Sequence, residues 1–280
     1  MTMPVAVVTD STASIPEDIA ARWGVSVIGM QLRIGAILDE ERQVSSEKLA
    51  SAMNANVPVS TAPPDPAAFF WTYSDAVARG AKAIVSMHLS GRLSKTVNAA
   101  QQAATGLRVP VYVIDSGMVG MSLGFAVLSA ARVAAAGGGA ARVLAAAKRR
   151  CELGTELIYV NTLEFLRRGG RIGGASALLG TALSIKPVLT VQGGEVVPLD
   201  RARGTKRALR KMVDAAVRQA DGQRVDVAIE YFESEENADD VRGKLELELP
   251  SVNEVLVTRV SAILGAHVGP GAVGIAVSPL

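Results

Sequence analysis

The 280-residue chain is nearly half apolar, at 49%, yet only 4% aromatic, so a sizeable core is available and any apolar pocket is walled mainly by aliphatic side chains. A net charge of +2 lacks the strong basic excess that nucleic-acid binders gather on one face. The lone Cys151 excludes an internal disulfide and a multi-cysteine zinc site, and no apolar run reaches transmembrane length.

In chain order, "VAVVTDSTASIPEDIAARWG" reads as a strand, a polar turn and a helix. Ser14 and Glu17 have the spacing of a capping box, and Pro16 suits a first helical turn. "VSVIGMQLRIG" is extended, with a turn near "AILDEERQ", and "SSEKLASAMNAN" opens a capped helix. "VPVSTAPPDPAAFFWTYSDAVARG" is a Pro-rich loop entering a helix. "AKAIVSMHLS" and "VPVYVIDSG" are core strands, each followed by a helix. "GGG" at 137 to 139 breaks the pattern before the helix "AARVLAAAKRRCE". Downstream, "ALSIKPVLTVQGGEVVPLDRARG" is two strands about a tight "QGGE" turn, and "TKRALRKMVDAAVRQA" is a helix. "RVDVAIEYFES", "VNEVLVTRVS" and "GIAVSPL" are further strands.

Strands alternating with helices predict an α/β architecture with a parallel sheet in the N-terminal half. A boundary near residue 150 divides the chain into α/β domains 1–150 and 151–280. The strands end in polar loops, "TDST", "HLSG" and "IDSG". Ligands of open α/β sheets gather outside those carboxyl ends, so the loops predict one site.

"GPGAVG" at 269 to 274 spells G-x-G-x-x-G but enters a strand rather than a helix, so it is no dinucleotide fingerprint. Walker sequences and metal-ligand clusters are absent, so neither a cofactor nor a metal is expected. The start lacks the basic and apolar regions of a signal peptide, and a soluble, cytoplasmic protein is expected. The basic runs "KRRCE" and "RARGTKRALRK" read as solvated helix faces; binding of nucleic acid there is the weaker alternative, and no nucleic-acid partner is expected.

Two chemistries compete for the hydroxyl groups. In a serine hydrolase, Ser90 attacks, His267 is the base, and Asp10 or Asp115 orients the imidazole. Against it, Ser90 is not in a G-x-S-x-G elbow. His88, two residues from Ser90, reads as a structural or surface residue, and Asp10 and Asp115 suit turn or helix capping. In the other reading, Ser60 or Thr61, together with Ser90 and a basic group, grips a carboxylate through charge-assisted hydrogen bonds. Arg171, between glycine pairs in "RRGGRIGG", suits a loop that projects it into a cleft.

Taken together, these segments resemble the DegV family of bacterial lipid-binding proteins, over essentially the whole chain, about residues 3–279. "VTDSTASIP" is similar to the family's first strand and loop. "STAPPDPAAF" resembles its Thr-Ser-x-Pro loop with the two hydroxyl residues exchanged. "LSGRLSKTVNAA" resembles its Leu-Ser-Gly-Thr segment, with Arg92 where threonine is usual. "VIDSGMVGMSLGF" and "GAHVGPGAVGIAV" fit, and "TLEFLRRGGRIGGASALLGTALSIKPVLTVQGGEVVPLDRARG" is the most specific piece.

The resemblance implies a two-domain α/β protein with one long-chain fatty acid, such as palmitate, bound between the domains and no catalysis of its own. It implies a carboxylate held by Ser60 or Thr61 and by Ser90 of the Ser90-Gly91 loop, with Arg171 and His267 near the head group. It implies small aliphatic residues such as those of "ASALLGTALSI" along the chain. Some family members are carrier subunits of a fatty acid kinase. On that precedent an ATP-binding subunit docks near Arg203 or its neighbour Arg201, with transient contact at a membrane surface for lipid exchange.

Overall fold

In the computed structural model, which describes residues 4–178 and 185–280, the valine-rich runs of the first half become one parallel sheet. Strand β1 (Val5–Asp10) passes through helix α1 (Glu17–Arg22) to β2 (Val25–Ile28). There follow β3 (Gln31–Ile34), β4 (Ile37–Glu40), α2 (Ser46–Asn54) and β5 (Val59–Ala62). Next come α3 (Pro66–Ala78), β6 (Ala83–His88), α4 (Thr96–Ala104) and β7 (Val111–Asp115). The parallel sheet has the order β2-β1-β6-β7. Period-two alternation sends Val5, Val7, Val85 and Met87 to one face and Val8 and Ile84 to the other, where Phe69 and Tyr73 of α3 cover them. Connections leave β1 and β6 in opposite directions, so the loops after these strands part at the sheet's carboxyl edge.

The Pro-rich segment read as a loop contains β5. This strand is only four residues long, and it forms because β3 offers an antiparallel partner in the three-stranded sheet β4-β3-β5. Its register sets Thr61 opposite the buried Leu32 and Ser60 opposite Arg33. Thr61 therefore faces inward and Ser60 outward. The capping box does not form. Asp10 accepts from the Thr12 N–H at 3.0 Å and winds a 3-10 turn over Ser11–Ala13. That turn ends on Ser14 at φ 50°, whose buried hydroxyl has no hydrogen-bond partner, and Pro16 opens α1 uncapped.

The chain continues through α5 (Gly120–Ala135) and α6 (Ala140–Leu153) into β8 (Thr155–Tyr159) and α7 (Glu164–Arg168). Then come β9 (Ile185–Gln192), β10 (Glu195–Arg203), α8 (Thr205–Ala220), β11 (Val225–Phe232) and α9 (Glu235–Glu248). Last are β12 (Val252–Arg259), α10 (Ala262–Val268) and β13 (Ala272–Pro279). The second sheet has the order β10-β9-β8-β13-β11-β12, with the final strand buried at its centre. Helix α8 turns Ala208, Leu209, Met212, Val213, Ala216 and Ala220 onto it at helical spacing. Helix α5 lies between the sheets. Leu123, Ala126, Val127 and Ala130 pack toward the parallel sheet, while Met121, Phe125 and Leu128 meet Ala228 and Ala276 of the other. Helix α10 crosses back, placing Ile263 and Ala266 in the first core.

The run "KRRCE" is not wholly a solvated face. Arg150 is buried, bonded to Asp226 at 2.7 Å and to the carbonyls of Ser278 and Pro279. It thus ties α6 to the last strand. Removing one partner of a buried, hydrogen-bonded pair strands the other charge, at a cost of about 3–5 kcal/mol. Arg150→Met should lower unfolding free energy by that order in denaturant titration, and adding Asp226→Asn should recover part of it. Arg79→Ala, which breaks the exposed pair with Asp75, should leave the midpoint unchanged.

Candidate functional site

A cavity lies between the parallel sheet and the six-stranded sheet, beside the loop after β6. Leu89 and Leu93 come from the loop after β6, Val119 from the entry to α5, Ile158 from β8, Leu166 from α7 and Ile263 from α10. Among the described residues no Phe, Tyr or Trp lines it, in keeping with the composition. Its polar groups fall into two sets, Thr61, Ser94, Arg171 and His267 on one hand and Glu156 and Glu230 on the other. Along β8 the inward row is Glu156, Ile158, then Val160. Glu156 is thus at the end of the row remote from α7 and Arg171.

Residues from three separate elements meet in the first set. Thr61 Oγ1 of β5 lies 2.8 Å from His267 Nε2, in the last turn of α10. Arg171 donates from Nε to the Leu93 carbonyl at 3.0 Å and from a terminal nitrogen to the Gly169 carbonyl at 2.6 Å. Its charge is therefore fixed beside the cavity by backbone, without a carboxylate partner among the described residues. Gly169 packs against the imidazole so closely that a Cβ there would lie 2.2 Å from His267 Nδ1. Burial first, and then the Arg171 charge, push His267 down to about 4 from the usual 6.5, so the ring is neutral at neutral pH. Its Nδ1 is buried with no hydrogen-bond partner. A bare lone pair there is less costly than a stranded N–H, which favours the proton on Nε2. Nε2–H then donates to Thr61, leaving the threonine O–H to point into the cavity.

Ser90 and Gly91 stand behind this set and do not line the cavity. The Ser90 hydroxyl donates to the Gly194 carbonyl at 2.7 Å and accepts from the Arg92 N–H. Gly91 N–H donates to Asp115, and a Cβ on Gly91 would come within 2.7 Å of that carboxylate. Arg92 reaches over to Glu195 at 2.6 Å. The loop after β6 is thereby fastened to the β9–β10 turn, and the serine it presents to the cavity is Ser94, which sequence reasoning passed over. Of "ASALLGTALSI", residues 179–184 lie outside the described residues, and Ala175 is buried beside Leu166 and Val196.

The hydrolase triad is not assembled. His267 bonds to Thr61, Ser90 to a carbonyl, Asp115 to the N–H groups of Gly91 and Gly117, and Asp10 to His88. His88 is fully buried, with Asp10 at 3.0 Å on Nδ1 and Ser86 at 2.7 Å on Nε2, and Tyr73 donates to Ser86. That chain has a triad's order, yet every member is buried away from the cavity, and it braces the ends of β1 and β6. Arg201 and Arg203 project from the exposed side of β10, the edge strand whose Val196 reaches the cavity.

Glu156 and Glu230 went unnoticed in the sequence. Their signal was an acidic residue inside each apolar strand run, "TELIY" and "VAIEYF". Both are buried at the N-terminus of α5, where Glu230 accepts from the Met121 N–H at 2.8 Å and Glu156 from the Ser122 N–H at 3.1 Å. Burial, then the charge of Glu230, holds the Glu156 carboxyl well above the usual range. Burial also raises Glu230, against the pull of the Met121 N–H.

Comparison with known proteins fits this geometry. The DegV family model, described as an uncharacterised protein family, matches residues 4–280. A DegV domain-containing protein of Streptomyces coelicolor, SCO2569, is 40% identical over 99% of both chains. The structure of a Thermus thermophilus DegV family protein, described as fatty acid binding, superposes with a TM-score of 0.95 at 33% identity. That match covers 99% of this chain and 100% of the other. DegV of Bacillus subtilis, described as a fatty acid binding protein, gives 0.89 at 26% identity over 99% and 100% of the two chains. The fold and site define a three-sheet α/β protein with an aliphatic cavity. The chain belongs to the DegV family.

Because His267 is neutral when folded but titrates near 6.5 when unfolded, acid favours the unfolded state. Its contribution is intact above pH 6.5 and is lost as pH falls to about 4. Over that window the wild type should lose about 3 kcal/mol more stability than His267→Gln, measured by denaturant titration at each pH.

Proposed function

We propose that this protein binds one long-chain fatty acid, its carboxylate at Thr61, Ser94, Arg171 and His267 and its hydrocarbon along the aliphatic wall. The observation that carries this is the pairing of a charged, backbone-held guanidinium and a free hydroxyl with an otherwise apolar cavity. Each buried methylene contributes roughly 0.8 kcal/mol, so a palmitoyl or longer tail supplies the affinity. The carboxylate needs donors once it leaves water. The Thr61 O–H and the Arg171 charge supply them, and an anion there also eases protonation of His267. Of the adjacent hydroxyls, Thr61 makes the contact, since Ser60 turns outward on β5. Ser90, Gly91 and Arg92 act by fixing the loop that carries Leu93 and Ser94.

The relatives described as fatty acid binding support this reading. On the same reading the chain is a non-catalytic carrier, divided into two domains near residue 150. It presents the acyl carboxylate to a separate ATP-binding kinase subunit that docks on Arg201 and Arg203, and it exchanges lipid at a membrane surface.

Organic extraction of the purified protein, followed by mass spectrometry, should release about one fatty acid per chain. Delipidated protein should take up palmitate or oleate; absence of both bound and added lipid would refute the proposal. Thr61→Val should weaken uptake tenfold or more and Ser60→Ala should not. In a kinase-coupled assay, Arg201→Ala/Arg203→Ala should slow acyl phosphorylation while fatty acid binding persists.

A further inference from the structure

Glu156 and Glu230 are polar wall residues that a plain hydrocarbon tail leaves unused. Burying acceptors against methylenes carries a penalty, because an acceptor cut off from water and left unpaired is not compensated. Both nonetheless stand in the wall of the cavity. Gly274 of β13 lies between the two strands, opposite Ile158 on one side and Glu230 on the other. A Cβ on Gly274 would come within 3.2 Å of Glu156 Oε1. At Gly120, held at φ 68°, a Cβ would come within 2.7 Å of Glu230 Oε2. Both glycines are on the cavity wall, so both carboxyls are reached past bare backbone.

Each carboxyl commits its Oε2 to the first turn of α5, one to Met121 and one to Ser122. Glu230 Oε1 is buried, in a residue only 1% exposed, and has no hydrogen-bond partner. The Ser14 hydroxyl beside it is outside hydrogen-bond geometry and is itself unpaired. A ligand atom arriving here must therefore donate. An ammonium would have to cross the apolar stretch between the two polar sets at high desolvation cost, and a carboxylate would be buried there without a cation to pair with. A neutral hydroxyl meets both conditions.

We propose that the cavity is built for a long-chain fatty acid bearing a hydroxyl group remote from its carboxylate, and that Glu230 Oε1, with Glu156 beside it, accepts that hydroxyl. The proposal rests on the fatty-acid reading of the cavity. Sites that hydrogen-bond a ligand hydroxyl reject the analogue lacking it, because the site's own polar group is then left unpaired.

The test is calorimetric titration of the delipidated full-length protein with matched probes. These are stearate against 2-, 10- and 12-hydroxystearate, and palmitate against 16-hydroxypalmitate. At least one remote hydroxy acid should bind tenfold or more tighter than its parent, and 2-hydroxystearate, with its hydroxyl at the head group, should show no such gain. A crystal structure with the preferred probe should place its hydroxyl within hydrogen-bond distance of Glu230 Oε1. Glu230→Met should bring the ratio of affinities to about one. Gly274→Ala, which sets a methyl tight against Glu156 and fills the space before it, should also reduce it. Binding of stearate and palmitate with no gain for any remote hydroxy acid would overturn this inference while leaving the carrier reading intact. Failure of every probe to bind would overturn both.

Discussion

Helix α5 buries twelve of its sixteen residues between two sheets, and its first turn is held by carboxyls from the sheet it does not belong to in sequence. That contact sets where the halves of the molecule sit. The parallel sheet grips one side of α5 through small residues, Ala126, Ala130 and Ala134, which let backbone and strand approach closely. The other sheet meets the bulkier Met121, Phe125 and Leu128. Glu156 and Glu230 then pin the helix start, where the peptide dipoles favour negative charge and the N–H groups lack intrahelical partners. A cavity remains beside that first turn because Val119 and Gly120 offer little side chain to fill it, and Gly274 opposite offers none.

The same constraint explains which parts of the fold were legible in the sequence. Strands β1, β6 and β7 announce themselves as short β-branched runs ending in polar loops, and the parallel sheet follows from their alternation with helices. Strand β5 was hidden because its four residues carry hydroxyls and run into prolines; only a distant partner, β3, makes them extended. No local pattern marks His267 as helical, since the seven-residue α10 is set by packing of Ile263 and Ala266 into the first core more than by any local signal. Ser14 and Glu17 matched a capping pattern, but Asp10, four residues before Ser14, had already fixed the turn.

The site was legible in its residue types and less so in their directions. Thr61, Arg171 and His267 were all nominated, and all line the cavity. Choosing between Ser60 and Thr61 needed a strand register that no single-sequence pattern supplies. Ser90 looked like the active hydroxyl because it follows a strand and precedes a glycine. Yet its partner is the carbonyl of Gly194, a hundred residues downstream, on a turn whose approach depends on the absence of a side chain there. Arg92 then has a clear place, closing that junction through Glu195 on the solvent side.

The two polar sets of the cavity differ in sign, and this gives direction to whatever enters. Arg171 holds a full positive charge near a neutral imidazole, so an anion meets attraction at that end and no competing carboxylate. The acidic pair spends its Oε2 atoms on the first turn of α5 and offers an anion no such positive charge. On the proposed function, an amphiphile carrying one carboxylate therefore enters in a single orientation, independently of how its hydrocarbon packs. The ends also respond oppositely to acid. Protonating His267 opposes the folded state as pH falls below 6.5, whereas the raised carboxyls favour it at low pH and lose that contribution as pH rises through their elevated titration range. Acid thus loosens the cationic end while leaving the acidic end neutral and well bonded to α5. The grip on α5, on which the sheet arrangement depends, outlasts the set built around Arg171 and His267.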